Sequence, residues 1–489
     1  MKKISEKSGG VVYTPKYVVN NMLDYIGYSG TCILNKHIID NSCGDGAFLT
    51  AIVRRFIHAW RHKCEEKRLV RRTLPLWLQT YIHGIEIDQE AADKCIKNLN
   101  AVLEDEGVMD SVNWDIRVCN ALECHEYDGL MDFVVGNPPY VRVHNIKGTD
   151  MYDVLKRYEF AKSGPTDLYL AFYELGFRML KKDYPATLTY ITPSGWTKGP
   201  AGKPFRDYIF KHNTLAAFFD LGNERVFDGI STYPCITVFT SAEFHTLIYG
   251  EGFPGMCKWR PVSYDEAFIN GELCLGSEEE TSVLKSVNEY DGTKSVRVKN
   301  GFATLWDAFF INDEPRFPGA EITVTKASTG EKKRCLYPYD TLGFIYPLHI
   351  IRDKNSEAYR YICINEKQLK QRTYDSEWYG FGRKQGIVDT YKKKVSVNSI
   401  IKTQDDLKVS FVPEGEGVYS GFYILFNNEA KWLQTYTEII KALHSDEFLN
   451  YVRALKKHKS GGYYSFTSKQ LEKYLNWKLG NEKRNGNTH

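Results

Sequence analysis

Four consecutive residues, Asn137-Pro138-Pro139-Tyr140, combine groups that can act together on a flat ring bearing an amino nitrogen. Prolines fix the backbone and carry no N–H, so the carbonyls at such a corner turn outward as acceptors. The Asn side chain adds another acceptor oxygen. Two acceptors converging on one amino group suit an aromatic NH2 that must be made more nucleophilic, and a tyrosine just beyond can stack on the ring. Upstream, Asp40-Asn41-Ser42-Cys43-Gly44-Asp45-Gly46 follows a short apolar run and precedes a helical one. Glycines in that place let the backbone pass close to a ligand. Glu86, in the segment GIEID (84–88), offers a carboxylate able to accept both hydroxyls of a ribose. In dinucleotide enzymes this acid falls about 20 residues after the glycines. Here the gap is about twice that and the third glycine is missing, which disfavours a nicotinamide dinucleotide.

Such residues need strand ends to bring them together. HIID (37–40), YIHGIEID (81–88), IRVCNAL (116–122), MDFVVGNPPY (131–140) and ATLTYITP (186–193) read as short apolar strands. AFLTAIVRRFIHAW (47–60), QEAADKCIKNLNAVLEDEG (89–107) and DLYLAFYELGFRMLK (167–181) read as the helices among them. That alternation predicts an α/β fold with a doubly wound, mostly parallel sheet. Ligands on such sheets bind beyond the carboxyl ends of the strands. The Gly-rich turn, Glu86, Asn120 and Asn137 all fall at predicted strand ends, so one crevice is expected to hold them. The basic run within residues 59–80 reads as a solvated helix end. A mixed, Gly-containing stretch from about 242 to 280 reads as a domain connection. Beyond it aromatics and glycines become dense and the alternation fades until a helical segment near 428–456, which predicts a C-terminal mixed α+β unit.

A chain of 489 residues is too long for one ordinary core and predicts at least two domains. Its eleven cysteines are scattered, without the spacing of a zinc site, and read as reduced packing thiols with no metal. No N-terminal signal pattern and no run near the roughly 18 apolar residues of a membrane span is present, so a cytoplasmic protein without membrane contact is expected. Charge is uneven: residues 1–280 carry 31 Lys+Arg against 37 Asp+Glu, residues 281–489 carry 33 against 24. A basic second half suggests a polyanionic partner held mainly there.

Taken in order, these segments resemble the gamma-class, TaqI-type adenine-N6 DNA methyltransferases of type II restriction-modification systems. GVVYTPKYVVNNML (10–23) is similar to their N-terminal cofactor motif, IIDNSCGDGAFL (38–49) to the Gly-rich motif, GIEID to the ribose motif and GNPPYVR (136–142) to the catalytic motif. TDLYLAFYELGFRML (166–180), YITPSGW (190–196) and GNERVFDGISTYPCITVF (222–239) are similar to the segments that follow. A looser likeness continues through NGFATLWDAFFI, WYGFGRKQ, YSGFYILF and GGYYSFTSKQLEKYL. The resemblance implies a class I S-adenosylmethionine-dependent methyltransferase domain over residues 1–245 and a target-recognition domain over 246–489. It also implies double-stranded DNA as partner, and leaves open a separate cognate restriction endonuclease or a solitary enzyme. The cofactor motif begins near residue 10 and the second half shows no metal-binding carboxylate–Lys cluster, so no fused nuclease is expected.

Residue by residue, the resemblance implies that Tyr13 and Thr14 contact the methionine moiety of S-adenosylmethionine and that Asp40 and Gly44 border its amino and carboxyl groups. Glu86 is to bind the ribose, Ile87 to pack on the adenine and Phe172 to lie beside the cofactor. Asn120, standing where the family often has Asp, is to contact the cofactor adenine. Asn137 and the Pro138 carbonyl are to hold the target N6, with Tyr140 stacking on the extruded base and Phe227, or else Tyr233, on its other side. Candidates for DNA contact are Arg383-Lys384-Gln385, Lys392-Lys393-Lys394 and Lys457-His458-Lys459. Enzymes that methylate a protein glutamine amide or an RNA guanine amino group share N-P-P-Y but lack an N-terminal cofactor motif joined to a basic specificity half. Asn rather than Ser at the first motif position favours adenine over cytosine-N4, and a non-enzymatic DNA-binding module leaves both motifs unexplained.

Overall fold

The computed structural model describes residues 14–67, 73–162, 164–183, 185–222, 224, 226–227 and 233–486. The chain forms two compact units, Met1–Leu275 and Gly276–His489.

Among the described residues, nine strands build the main sheet of the first unit: β1 (Ile38–Asp40), β2 (Ile82–Glu86), β3 (Asp115–Val118), β4 (Phe133–Gly136), β5 (Thr187–Pro193), β6 (Leu215–Asp220), β7 (Pro234–Thr240), β8 (Thr246–Glu251) and β9 (Trp259–Ser263). They lie in the order β3-β2-β1-β4-β5-β7-β6-β8-β9. β1 to β5 are parallel, β7 runs antiparallel between β5 and β6, β8 is parallel to β6 and β9 antiparallel to β8. The central strands are apolar and buried on both faces because helices cover both. On one face lie α1 (Lys16–Tyr25), α2 (Ala47–Lys67), α3 (Leu74–Tyr81) and α4 (Gln89–Asp105). The other face is covered by α7 (Leu168–Met179) and α8 (Lys203–His212), with the short α5 (Val143–Ile146) and α6 (Asp150–Leu155) alongside. α2 buries Phe48, Ile52, Phe56 and Trp60, a three-to-four-residue spacing that puts one apolar stripe on the sheet. α4 starts where GIEID ends because the Asp88 side chain caps it, accepting the Ala91 N–H at 2.9 Å.

The predicted strands and helices stand, with shifted ends and two corrections. β3 stops at Val118; the rest of the predicted strand is a 3-10 turn, Ala121–Glu123, capped by Asn120. Between α2 and β2 the apolar residues that follow the basic run fold as α3, which buries Leu74 and Leu78. The expected domain limit at 245/246 falls inside the first unit. The stretch read as a connection holds β8, β9, α9 (Tyr264–Ala267) and the hairpin β10 (Phe268–Ile269)–β11 (Glu272–Leu273). Its Leu247, Tyr249, Val262, Tyr264 and Leu273 join the core of that unit. Their apolar residues recur in short alternations broken by glycines, which masks strand character in sequence.

The second unit has mixed α+β architecture. It opens with α10 (Glu278–Glu289), started by a Ser277/Glu280 capping box. One sheet joins β12 (Val296–Asn300) to β20 (Phe422–Phe426), β16 (Lys394–Val397) and β18 (Val409–Val412). A second joins β13 (Ile311–Asn312), β15 (Lys332–Leu336), β14 (Glu321–Lys326) and β19 (Gly417–Tyr419), and a third joins β17 (Ile400–Ile401), β22 (Tyr463–Ser465) and β21 (His458–Lys459). Short helices α11 (Asp307–Phe310), α12 (Leu348–Lys354), α13 (Ser356–Ile364) and α14 (Glu366–Leu369) lie between strands. The helical segment near 428–456 is two helices, α15 (Trp432–Leu443) and α16 (Asp446–Ala454), and α17 (Ser468–Gly486) ends the unit. No helix among the described residues is long and apolar enough to cross a membrane.

Asp132 ties together the amino ends of the central strands, opposite the carboxyl ends where ligands bind. Its buried carboxylate accepts the His37 N–H at 2.9 Å and pairs with Lys181 at 2.6 Å and Lys36 at 3.2 Å, and its carbonyl accepts the Thr187 N–H at 2.8 Å. Burial pushes this carboxyl up, but the hydrogen bonds from Lys181, the His37 N–H and Lys36 outweigh it and hold the group below its ordinary value. A depressed folded-state value means stability present above the unfolded value and lost as pH falls through the folded one. Asp132→Asn is therefore expected to lower stability at pH 7 by roughly 1.5–3 kcal/mol. Thermal unfolding across pH should show that deficit shrinking below about pH 4.

Candidate active site

A cavity opens beyond the carboxyl ends of β1 to β4, lined among others by Asp40, Gly44, Glu86, Ile87, Asn120 and Asn137. Its floor is the turn between β1 and α2. Gly44 (φ +54) and Gly46 (φ +90) take left-handed conformations there. A Cβ on Gly46 would stand 2.8 Å from Cys95 Sγ on α4, whereas one on Gly44 would meet nothing within 4 Å. The first glycine therefore leaves room for a ligand and the second lets a helix approach. β1 and β4 pair with Asp40 opposite Val135, which brings Gly136 beside the Asp40 carboxylate.

Asp40 is 2% exposed and its Oδ1 accepts the Ser42 N–H at 3.1 Å. Burial raises its carboxyl to about 7; the Ser42 N–H opposes the rise and the charge of Glu86 adds to it. Glu86 sits at the cavity edge with its carboxylate fixed by three backbone donors, Gly44 N–H at 2.9 Å, Ile87 N–H at 2.9 Å and Asp88 N–H at 3.0 Å. Ile87 beside it is 57% exposed. Phe172 from α7, with Val141, Ile146 and Met151, gives the cavity an apolar wall.

Asn137 and Pro139 line the same cavity. Asn137 Nδ2 donates to Thr14 Oγ1 at 3.1 Å, so the amide nitrogen faces Thr14 and the oxygen faces away. The Asn137 carbonyl accepts from Ser42 Oγ at 3.5 Å, linking the corner to the Gly-rich turn. Tyr140 donates its hydroxyl to the Ile191 carbonyl at 3.1 Å. Burial, then the neighbouring Cys235 and Tyr169, push this phenol well above its ordinary value and keep it a donor.

Thr14, Asp40, Gly44, Glu86, Ile87, Asn120, Asn137 and Phe172, drawn from six separate segments, thus meet at one cavity. Tyr13 lies outside the described residues. Two of the expected residues also have partners of their own in the fold. The Asn120 side chain caps its own 3-10 turn, accepting the Leu122 N–H at 3.2 Å and donating to Glu123 Oε2 at 3.0 Å, so both polar ends already have partners. Phe227 is buried edge-on against Tyr140, with centroids 6.1 Å apart and planes at 69°. Aromatic quadrupoles favour that geometry. Tyr233 is half-buried, its carbonyl accepting the Ser194 N–H at 2.9 Å. The sequence pattern missed the Thr14–Asn137 contact and the pairing of buried Asn41 with Tyr190 at 2.6 Å, because each joins residues more than a hundred positions apart.

In the second unit Arg383, Lys384 and Gln385 are exposed, with Lys384 3.4 Å from Asp375. Lys394 is buried and its ammonium is spent on three carbonyls of its own loop, so it is no surface contact. Lys392 pairs with Asp389 at 2.9 Å, Lys393 lies 5.1 Å from the Trp432 ring, and half-buried Lys457 donates to Gln470 at 3.1 Å. Lys459 is exposed and His458 half-buried.

Residues 64–227 match the Eco57I restriction-modification methylase family. The type II methyltransferase M.BstVI of Geobacillus stearothermophilus is 30% identical over 255 residues, 49% of this chain and 43% of that protein. The type II restriction enzyme and methyltransferase RM.Eco57I of Escherichia coli is 26% identical over 485 residues, 77% of this chain and 48% of that protein. The chain spans less than half the length of these relatives. The Type IIL restriction-modification enzyme MmeI, solved in complex with DNA, superposes with a TM-score of 0.58 at 15% identity over 93% of this chain and 64% of its own.

The fold of the first unit is that of the class I S-adenosylmethionine-dependent methyltransferases, and fold and family match together imply that cofactor. The cavity fits it. A buried carboxyl stands on the floor with a single backbone donor, suited to a cation; an exposed isoleucine at the edge suits a flat ring; and Gly44 leaves open space between them. Because the Asp40 value in the folded, ligand-free chain lies above its ordinary one, its contribution to stability is fully present at low pH and is lost as pH rises towards about 7. Asp40→Asn should therefore stabilise the ligand-free protein at pH 8 relative to wild type, with the gain shrinking towards pH 4. Melting curves in the absence of cofactor measure this; a gain independent of pH would contradict the assignment.

Proposed function

From the match of residues 64–227 to the Eco57I restriction-modification methylase family, we propose that the chain transfers a methyl group from S-adenosylmethionine to N6 of an adenine swung out of a specific duplex DNA sequence, as the modification enzyme of a restriction-modification system. The observation that carries this reading is the junction of the Asn137-Pro138-Pro139-Tyr140 corner with the cavity of Asp40, Gly44 and Glu86. An acceptor corner opening on a cofactor-sized cavity suits transfer to a planar amino group. The basic second unit, 33 Lys+Arg against 27 Asp+Glu, supports DNA as the substrate.

In this reading Asp40, as carboxylate, holds the cationic amino group of the methionine moiety, Glu86 takes a ribose hydroxyl and Ile87 packs on the adenine. When bound, S-adenosylmethionine supplies an electrophilic methyl group on a sulfonium that carries away its own leaving group. An adenine paired in a duplex is inaccessible, and swinging it out costs a few kcal/mol. Stacking on Tyr140, worth roughly 1–3 kcal/mol, offsets this. The ring is held for that task by its bond to the Ile191 carbonyl. Thr14 accepts from the nitrogen of the Asn137 amide, which fixes the orientation of that amide; its oxygen is to accept one N6–H and the Pro138 carbonyl the other. Together they draw the amino nitrogen towards tetrahedral geometry and localise its lone pair. The gain comes from positioning and fixed dipoles.

Modification-sensitive sequencing of DNA from cells expressing the chain, with nucleoside mass spectrometry, tests the proposal. N6-methyladenine in one sequence motif is expected; N4-methylcytosine, or methyl groups found only on RNA or protein, would overturn it. Asn137→Ala should lower methyl transfer by about 10²-fold or more while calorimetry shows S-adenosylmethionine binding retained. Turnover near the wild-type rate in that variant would remove Asn137 from the mechanism.

A further inference from the structure

Residues 338–346 of the second unit form a tight hairpin whose tip is locked by its own backbone. Tyr346 N–H donates to the Pro338 carbonyl at 2.9 Å and Asp340 N–H to the Phe344 carbonyl at 2.8 Å. The Asp340 side chain accepts the Leu342 N–H at 2.9 Å and the Phe344 N–H at 2.8 Å. Yet this rigid tip leaves Leu342 70% and Phe344 69% exposed. Gly343 (φ +88), between them, leans on a second loop: a Cβ there would stand 3.2 Å from Val388 Cγ1, and Val388 is itself 60% exposed. A single exposed apolar side chain is ordinary. Three gathered at one rigid point mark a surface that meets something.

The second loop is held as firmly. The ammonium of buried Lys394 donates to the carbonyls of Asp389, Thr390 and Lys392 at 2.9, 2.9 and 2.8 Å. The carboxylate of buried Asp389 receives Lys299 at 2.6 Å, Lys392 at 2.9 Å and the Tyr423 hydroxyl at 2.8 Å. Asp389 is the one acid in residues 383–393, and it is neutralised inside, while Arg383, Lys384 and Gln385 stand exposed in the same stretch of chain as Val388, Lys384 lying 3.4 Å from Asp375. An apolar point whose supporting loop carries exposed cations in sequence, with its one acid neutralised inside, is complementary to a polyanion whose interior is apolar, the stacked bases of a duplex beneath its phosphates.

We propose that Leu342 and Phe344 form a wedge that enters duplex DNA against the bases, with Arg383 and Gln385 reading base edges beside it. Apolar side chains inserted at a base step unstack and kink a duplex, and Arg and Gln match guanine and adenine edges. The wedge rests on the proposed DNA-methylating function. It adds where in the second unit the base sequence is sensed.

The test uses the full chain, unmethylated genomic DNA and S-adenosylmethionine, and compares wild type with L342S/F344S and with F344Y, which keeps the ring. In the double variant, methylation at the wild-type motif should fall about ten- to a hundredfold, or spread to related motifs. Melting temperature and S-adenosylmethionine affinity should stay unchanged, and F344Y should stay near wild type. Unchanged rate and motif in the double variant would overturn the wedge. So would a loss of rate that tracks a change in sedimentation, which marks the tip as a contact between copies, or retention of wild type but not variant on anionic vesicles. Wild type that methylates DNA adenine upholds the proposed function whatever the variants do; wild type that leaves DNA unmethylated overturns both proposals.

Discussion

A Cβ on Gly136 would stand 2.8 Å from the Asp40 carboxylate oxygen, and the site is built around that absence. Two parallel strands in register must end side by side, one turning through Asn41–Gly46 and the other through Asn137–Tyr140. Only a residue without a side chain, at a φ of +153 that side-chain-bearing residues rarely adopt, lets the second turn leave the sheet without displacing the carboxylate on the floor of the first. The hydroxyl of Ser42 meets the Asn137 carbonyl, and Thr14 meets the Asn137 amide. The acceptor corner and the cofactor cavity therefore share one framework, and a shift in either displaces the other.

That framework was legible in the sequence because its parts are local. Each of Asp40, Glu86, Asn120 and Asn137 lies at or just past the end of an apolar run, and the alternation of runs with helical periods fixes which end of the sheet they share. Side-chain contacts across the sheet were not legible. The Asn120 amide looks suited to a nucleoside, yet in the fold it first satisfies its own turn. Phe227 looks suited to sandwich a base, yet burial against Tyr140 turns it edge-on. Neither choice is encoded by neighbours in sequence; both come from which polar or aromatic groups the fold leaves within reach.

Charge shows the same division in the second unit. The run Lys392-Lys393-Lys394 is uniform in composition and divided in structure. Lys392 is exposed and paired with Asp389, Lys393 lies along Trp432, and Lys394 is interior. Burying an ammonium is costly unless its donors are met, and three carbonyls of one loop meet them, so the cost is turned into a fixed loop shape. A basic half thus contributes both an outward field and an inward brace, and counting residues cannot separate the two.

β8 and β9, read in sequence as a connection, have a consequence for how the chain behaves outside its own fold. β6 is apolar and largely buried, and β8 occupies its outer hydrogen-bonding side. Cut at 245, the first unit would present β6 as a bare strand, a ready template for coalescing with other copies. The main sheet of the intact unit instead ends in β9, a short strand carrying Arg260 and Pro261. A proline contributes no N–H to a further strand, so the last strand terminates the sheet and guards the chain against clumping.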